Sequence, residues 1–284
     1  MAARYQIRTM RRDELNFAVD LAAREGWNPG LHDAASFYAA DPGGFLIGLL
    51  DDVPIGCISA VRYENGFGFL GFYIVIPEHR GRGYGMPLWR SALQQFGARN
   101  IGLDGVQAQQ ANYRKSGFSL AYSNIRYAWQ TRPSAVQAAT PHIVPAGQVD
   151  ADSLARYDQP CFSTPRPTFL NAWLTQPDSV ALVWREQDAI RGYGAIRRCR
   201  EGWKIGPLFA DHRGIAEPLL LALCHGIADD EPVYLDVPEV NTEAVRLAAD
   251  LGMHKVFGTA RMYRRDPPEI ATDRIFGVTS FELG

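Results

Sequence analysis

The clearest pattern of apolar and polar positions in this chain is a strand, a loop and a helix in succession. Residues 69–76 form an apolar, β-branched and aromatic run of strand length, and Pro77 ends it because proline has no N–H group to donate to a sheet. From Leu88 to Phe96 apolar residues recur at helical spacing, and Pro87 suits a first helical turn. The glycine-rich loop between them therefore lies at a helix N-terminus. Its unpaired N–H groups and the helix dipole favour a phosphate ligand.

The same patterns predict the other elements of the first half of the chain. Residues 5–9 alternate as a strand, and residues 10–23 carry a helical apolar face. Residues 45–50 and 54–63 predict a hairpin, and residues 122–129 predict a later strand.

The spacing of the loop glycines excludes two common phosphate loops. A Walker loop needs Lys and then Ser or Thr after its last glycine, whereas Met86 and Pro87 follow here. The dinucleotide fingerprint needs its third glycine at the position of Met86. What remains is Arg80-x-x-Gly83-x-Gly85. By itself this pattern is also compatible with a glycine-rich turn that binds no ligand.

A second motif, Tyr113-Arg114-Lys115-Ser116-Gly117-Phe118, follows before the strand at residues 122–129. Together with the loop, this order resembles the GNAT acetyltransferases over residues 4–129. The resemblance implies an α/β fold with a mixed sheet and a coenzyme A site on the loop. One position departs from the family, because many members carry Asn where this chain has Val106.

The resemblance also implies roles for individual residues. Backbone groups of the central strand would bond the pantetheine arm of acetyl-CoA, and loop amides would hold its pyrophosphate. The predicted cofactor-binding residues are Ile74, Val75, Ile76, Arg80, Gly81, Arg82, Gly83, Tyr84 and Gly85. Tyr113 would be the catalytic acid that protonates the departing thiolate. The alternative is that Tyr113 only packs the helix against the sheet.

In this family the segment between the first two helices borders the acceptor. Here that segment contains Trp27, Asn28 and Asp33, which are predicted substrate contacts together with Tyr73. The alternative is that Trp27 packs beneath the loop and that Asp33 caps the next helix. The sequence identifies no general base, and Glu25, Asp33, Tyr73 and water all remain candidates.

The second half of the chain repeats the first in part. His212-Arg213-Gly214 corresponds to His79-Arg80-Gly81, Gly252-Met253 to Gly117-Phe118, and Arg261 to Arg126. Two GNAT-like units in tandem are the simplest interpretation, each a twisted, mostly antiparallel sheet flanked by helices. The predicted organisation is a catalytic domain over 1–130, a linker over 131–141 and a degenerate GNAT-like domain over 142–284, which ends in a strand.

The second unit differs from the first at the positions equivalent to the glycine loop and to Tyr113. Arg80 and Pro87 are seven positions apart, whereas Arg213 and Pro218 are five apart, so the glycine pair is missing. Ala248 stands where the first unit has Tyr113. These differences predict one coenzyme A per chain, with the second unit acting on the acceptor.

Two residues of the second unit, Asp236 and Asn241, are predicted substrate contacts. Replacing either one by Ala would then raise KM for the acceptor.

The composition of the chain argues against several classes of function. The 284 residues are 46% hydrophobic, which is enough for two ordinary cores, and the net charge of −2 argues against a nucleic-acid or anionic-membrane binder. No apolar run has membrane-spanning length and the start lacks a signal-peptide pattern, so a cytoplasmic protein is expected. The four cysteines are scattered and predict no metal site.

The predicted function is transfer of an acetyl group from acetyl-CoA to a small amine in a ternary complex. Two alternatives remain from the sequence: a module that senses an acyl-CoA or a metabolite without turnover, and a transferase of another acyl group. The expected partner is a small-molecule amine, without nucleic acid or membrane, and the chain is expected to be a monomer or a homodimer.

Overall fold

The computed structural model describes residues 3–130 and 141–284, and it is a mixed α/β structure. Within these residues 13 strands form one sheet. The strands are β1 Tyr5–Thr9, β2 Phe45–Leu50, β3 Val53–Arg62, β4 Phe67–Val75, β5 Asn100–Val106, β6 Ser119–Trp129, β7 Ile143–Pro145, β8 Ser179–Glu186, β9 Ala189–Arg198, β10 Trp203–Ala210, β11 Val233–Pro238, β12 His254–Tyr263 and β13 Ile275–Gly277.

Helices cover the two faces of this sheet, and their apolar sides form its cores. They are α1 Leu15–Arg24, α2 Asp33–Ala40, α3 Gly85–Phe96, α4 Gln110–Lys115, α5 Ala151–Phe162, α6 Pro167–Leu174, α7 Arg213–Leu223 and α8 Thr242–Asp250. The longest α-helices, α3 and α5, have 12 residues each. In the described part of the chain no helix is long and apolar enough to cross a membrane.

The two units are joined in one sheet because they exchange the equivalent strands β6 and β12. Its order is β1-β2-β3-β4-β5-β12-β6-β11-β10-β9-β8-β7, and β13 pairs with β10. Strand β12 of the second unit, the counterpart of β6, therefore lies beside β5 of the first unit, and β6 of the first unit lies beside β11 of the second. Both of these pairings are antiparallel, whereas β4–β5 and β10–β11 are parallel. The fold is the mixed-sheet tandem arrangement that the repeat predicts, with an exchange that it does not predict.

Two buried ion pairs occupy equivalent places in this exchange. Arg126 Nε lies 2.6 Å from Asp236 Oδ1, which joins β6 to β11. Arg261 Nη2 lies 2.6 Å from Asp104 Oδ2, which joins β12 to β5. The sequence repeat aligns the two arginines, and the structure shows that each arginine binds an aspartate of the other unit.

The helices of the two units also share a core. The ring of Phe37 on α2 stacks on that of Trp173 on α6 with their centroids 5.8 Å apart. Beside them, Arg197 Nε donates to Asp33 Oδ1 at 2.8 Å. Strand exchange, shared aromatic packing and buried charge pairs thus hold the two units together.

Several predicted elements differ from the observed ones at their ends. The helix predicted to follow the loop includes Gly85 as its first residue. The strand predicted for the end of the chain covers residues 275–277, and residues 278–284 are buried without further strand structure. The predicted linker over 131–141 lies outside the described residues except for Pro141.

Candidate active site

A cleft opens where β4 and β5 separate. The two strands pair from Phe67 with Asn100 to Leu70 with Leu103, and beyond these residues they diverge. In β4 the register against β3 shifts by one residue, and Phe72 has φ +49°, so the strand carries a bulge at this point. The cleft has a volume of about 770 Å³.

One end of the cleft is closed by the glycine loop at the N-terminus of α3. Gly81 and Gly83 have φ values of +71° and +88°, a conformation that side chains other than glycine rarely adopt. A Cβ atom placed on either residue would find no other atom within 4 Å. No backbone carbonyl of the described residues accepts a hydrogen bond from the N–H groups of residues 81–84. The loop therefore presents free donors to an open space at the positive end of a helix, which fits a pyrophosphate.

Side chains from other elements hold this loop in place. The hydroxyl of Tyr5 donates to the carbonyl of Tyr84 at 3.0 Å, and the two rings lie 4.9 Å apart. Arg80 donates from Nε to the Val75 carbonyl at 2.7 Å and pairs through Nη2 with Glu25. The guanidinium of Arg80 thus fastens the loop to the end of β4. Its pairing also occupies Glu25, one of the candidate bases.

Most of the predicted cofactor-binding residues line the cleft. These are Ile74, Val75, Arg80, Gly81, Gly83, Tyr84 and Gly85. Two others, Ile76 and Arg82, do not line it. The N–H group of Ile76 donates to the Ile55 carbonyl at 2.9 Å, so it is used within the sheet, and Arg82 is exposed.

Tyr113 lines the same cleft from α4. Its ring stacks on Trp89 with the centroids 5.7 Å apart, and it packs so closely on Gly105 that a Cβ there would collide with it. Burial, with a smaller contribution from Tyr73, raises the pKa of Tyr113 to about 12. The phenol is therefore neutral at physiological pH and has a proton to donate. The side chain of Tyr113 both packs against its neighbours and lines the cleft, so a packing role and a role as catalytic acid are compatible.

The ring of Tyr73 also packs on Trp89, with a centroid distance of 5.2 Å. It lines the cleft, and burial raises its pKa. Its hydroxyl would lie 2.6 Å from a Cβ on Gly85. The first residue of α3 must therefore be small for this phenol to occupy the cleft.

Part of the cleft lining is aromatic. Trp27 from the first unit and Phe257 and Phe281 from the second form this part. The backbone carbonyl of Trp27 accepts hydrogen bonds from Arg126 Nη1 at 2.7 Å and from Lys204 Nζ at 3.3 Å. Burial lowers the pKa of Lys204. The second unit thus contributes Phe257 and Phe281 to the lining, and its Lys204 holds the Trp27 carbonyl together with Arg126 of the first unit.

Four residues predicted to contact the acceptor do not line the cleft: Asn28, Asp33, Asp236 and Asn241. Their polar groups bind other parts of the chain. Asn28 exchanges two hydrogen bonds with the backbone of Glu201, and Asp33 accepts from Arg197 and from the N–H group of Gly30. Asp236 pairs with Arg126. Asn241 caps α8 and donates to the carbonyls of residues 273 and 275.

Several polar residues of the cleft were not predicted as site residues, among them Asp104, Thr259 and Glu282. Asp104 could have been found through the repeat, because Leu-Asp stands at the equivalent place in β5 and β11. Its pKa is raised by burial, although Arg261 opposes the shift. No local pattern points to Thr259 or Glu282, since strand exchange and the course of residues 278–284 bring them to the first unit.

The equivalent site of the second unit is filled by the chain itself. Helix α7 begins directly at Arg213, whose guanidinium pairs with Glu217 and Asp250. Strands β10 and β11 also diverge, but β13 lies in the gap, with Gly277 opposite Leu208 of β10. The N–H group of Val278 then donates to the Asp236 carbonyl of β11 at 2.8 Å. A strand therefore occupies the position that the cleft has in the first unit.

Comparison with known proteins agrees with this geometry. The model of the Acetyltransferase (GNAT) family matches residues 7–118, and that of the Acetyltransferase (GNAT) domain matches residues 154–277. The chain is 28% identical to holothin acyltransferase from Pseudoalteromonas sp. (strain SANK 73390) over 277 residues, which are 96% of this chain and 92% of that protein.

Solved structures share the whole architecture. A candidate acetyltransferase from Pyrococcus horikoshii superposes with a TM-score of 0.84 at 23% identity, over 99% of this chain and 96% of the other. A tandem GNAT protein from the clavulanic acid biosynthesis pathway gives a TM-score of 0.62 at 12% identity, over 92% and 98% of the two chains. At these identities the resemblance concerns the fold.

Proposed function

We propose that this chain, which belongs to the GNAT superfamily and is an acyltransferase with two GNAT units in tandem, transfers an acetyl group from acetyl-CoA to a small amine. The observation that carries the proposal is the cleft between β4 and β5. Its lining combines the glycine loop with its free amides, the protonated phenol of Tyr113 and a group of aromatic side chains. This combination suits a thioester and an acceptor that are held together in one cleft.

Each group of the chain would have a distinct task. The N–H groups of residues 81–84 would bind the pyrophosphate, and backbone groups at Ile74 and Val75 would orient the pantetheine arm. The coenzyme supplies the acyl group as a thioester with a thiolate as leaving group. Tyr113 would donate its hydroxyl proton to the departing sulfur. Because the site orients both reactants, no covalent acyl-enzyme is needed.

The acceptor end favours an apolar body that carries an amine. Trp27, Phe257 and Phe281 line the cleft together with the carboxyl groups of Asp104 and Glu282. The activity named for the holothin acyltransferase relative supports acyl transfer as the reaction of this chain.

The test is to follow release of free thiol from acetyl-CoA in the presence of a panel of amines, amino acids and aminoglycosides. Acetylation of one acceptor with saturation kinetics would support the proposal. Preference for succinyl-CoA or a longer acyl-CoA would show that the transferred group is not acetyl. Binding of acetyl-CoA without thiol release from any acceptor would indicate a sensor instead.

The phenol of Tyr113 can be tested by replacing it with Phe, which keeps the stacking on Trp89. We expect turnover to fall on the order of 10²-fold with little change in the affinity for acetyl-CoA, since only the proton donor is lost. Steady-state kinetics and calorimetry measure the two quantities. Turnover within about twofold of the wild type would leave Tyr113 with a packing role.

The filled second cleft leads to a prediction about stoichiometry. Because β13 occupies the gap between β10 and β11 and the loop there lacks its glycines, we expect one coenzyme A per chain. Isothermal titration with coenzyme A should give a stoichiometry near one. A second site that survives mutation of the loop at Gly83 would contradict this expectation.

A further inference from the structure

Residues 278–284 carry the chain from the second unit to the floor of the first unit's cleft. Arg166 Nη2 donates to the Thr279 hydroxyl at 2.8 Å, and the Tyr63 hydroxyl donates to the Leu283 carbonyl at 3.0 Å. The carbonyl of Glu282 lies so close to Gly71 of β4 that a Cβ on this residue would collide with it. The segment is therefore fixed against the bulged part of β4, and Phe281 and Glu282 face the cleft.

The carboxyl group of Glu282 is buried and has an unpaired oxygen. The residue is 3% exposed, and its Oε1 has no hydrogen-bond partner among the described residues. Buried polar atoms are nearly always paired, so an unpaired carboxylate oxygen in a cleft points to a ligand. Thr259 Oγ1, also in the lining of this cleft, is likewise buried without a partner within the described residues.

Charged side chains face Glu282 from four elements packed around it. They are Lys204 of β10, Arg126 of β6, Arg197 of β9 and Asp33 of α2. Arg126 binds Asp236, and Lys204 donates to the carbonyls of Trp27 and Asn28. Arg197 binds Asp33, while its Nη1 is buried without a hydrogen-bond partner in the described residues. None of these bonds involves the carboxylate of Glu282. Burial raises the pKa of Glu282, and the three cations oppose this only in part.

Other acidic groups of the cleft are already occupied. Glu25 pairs with Arg80, and both oxygens of Asp104 accept hydrogen bonds from Arg261. The pKa of the Tyr73 phenol is raised, which makes it a poor proton acceptor at neutral pH. Among the carboxylates that line the cleft, Glu282 is thus the one that forms no ion pair with an arginine within the described residues.

We propose that Glu282, supplied by the second unit, is the general base that removes the proton from the acceptor amine in the first unit's cleft. This inference rests on the proposed function above. It also gives the degenerate unit a direct catalytic part, although its own cofactor site is filled by β13.

Each proton that moves in the reaction has a donor and an acceptor. The free oxygen of Glu282 takes one proton from the ammonium form of the acceptor, and the neutral nitrogen attacks the carbonyl carbon of the thioester. A C–N bond forms and the C–S bond breaks. The nitrogen loses its second proton to water, and the sulfur takes the hydroxyl proton of Tyr113. Solvent then returns a proton to Tyr113 and removes one from Glu282, which leaves an amide and free coenzyme A.

The main experiment is the substitution Glu282→Gln in the full chain, which keeps the shape of the side chain. With acetyl-CoA and the amine selected by the thiol-release assay, we expect kcat/KM to fall on the order of 10²-fold. The wild-type rate should decline as the pH falls through the raised pKa of Glu282, because protonation blocks the base. In the Gln variant this acidic limb should disappear, which a purely structural role would not produce.

A second variant separates chemistry from folding. Glu282→Ala leaves room in the cleft for a small carboxylate, so added formate should restore part of the rate. Glu239→Gln is the matched control, since Glu239 is an exposed carboxylate of the second unit that pairs with Lys255. It should keep the wild-type rate and pH profile. Circular dichroism melts should show all three variants folded.

The outcomes distinguish this inference from the function on which it rests. A Gln variant with the wild-type rate and an intact acidic limb would overturn the role of Glu282 and leave acetyl transfer standing. Loss of rate without rescue of the Ala variant by formate, and with the acidic limb retained, would also overturn it. If wild-type protein binds acetyl-CoA but acetylates no amine, the proposed function fails, and the base with it.

Discussion

Replacing Gly83 by Glu is expected to abolish coenzyme A binding while the chain stays folded. Gly83 has φ +88° and lies between N–H groups that have no backbone acceptor in the described residues. A side chain here would enter the space into which these donors point. Its carboxylate would repel a pyrophosphate and would itself bind the positive end of α3. Both the repulsion and the occupation of the helix N-terminus lower the affinity for coenzyme A.

Calorimetry with coenzyme A tests this prediction, and Gly226→Glu provides a matched control. Gly226 has φ +82°, and a Cβ there would also meet nothing within 4 Å. It does not line the cleft. The control therefore carries the same added charge and a similar backbone strain, but it should bind coenzyme A normally. If the Gly83 variant keeps its affinity, the coenzyme is not held by this loop.

The loop and Tyr113 could be predicted from the sequence because both depend on local order. Glycine spacing after an apolar strand determines which N–H groups are free, and the Tyr-x-x-x-Gly-Phe ending places Tyr113 on the next short helix. The structure brings both to one cleft. Two predicted cofactor contacts, Ile76 and Arg82, do not line the cleft because their surroundings direct them elsewhere. The N–H group of Ile76 is bonded to β3, and Arg82 is exposed.

The acceptor end could not be predicted in this way. A polar residue such as Asp236 on a predicted strand suggests a substrate contact. A buried aspartate at such a position can equally serve as the partner of an arginine, and the sequence does not show which arginine lies beside it. Conversely, Glu282 lies in an apolar stretch near the end of the sequence. Its position depends on the course of residues 278–284 beneath β4, where Gly71 leaves room for the backbone. No spacing rule connects Glu282 to Gly71.

The exchange of β6 and β12 shows a similar limit. Repeat positions such as Arg126 and Arg261 predict two units, and the observed fold has them. The repeat does not reveal which closing strand pairs with which neighbour, because both strands have the same pattern and both neighbours present an equivalent aspartate. Pairing across the units buries both arginine–aspartate pairs between them.

Asp236 illustrates the consequence, since its position now predicts a loss of stability rather than a change in acceptor KM. Its side chain is 2% exposed and that of Arg126 is 4% exposed, and the two form two hydrogen bonds of 2.6 and 2.8 Å. Burial would raise the pKa of Asp236, but the charge and hydrogen bonds of Arg126 outweigh it and keep the pKa lowered. The pair is therefore ionised at neutral pH.

Replacing Asp236 by Ala is expected to lower the free energy of unfolding by about 3–5 kcal/mol, because it leaves the guanidinium of Arg126 buried without its counter-ion. Urea denaturation measures the loss. Glu243→Ala, which breaks the exposed pair with Arg246, should change stability by less than about 1 kcal/mol. The double variant Asp236→Ala with Arg126→Met removes both charges and should recover part of the loss. An Asp236 variant of wild-type stability whose acceptor KM is raised would instead return Asp236 to the substrate site.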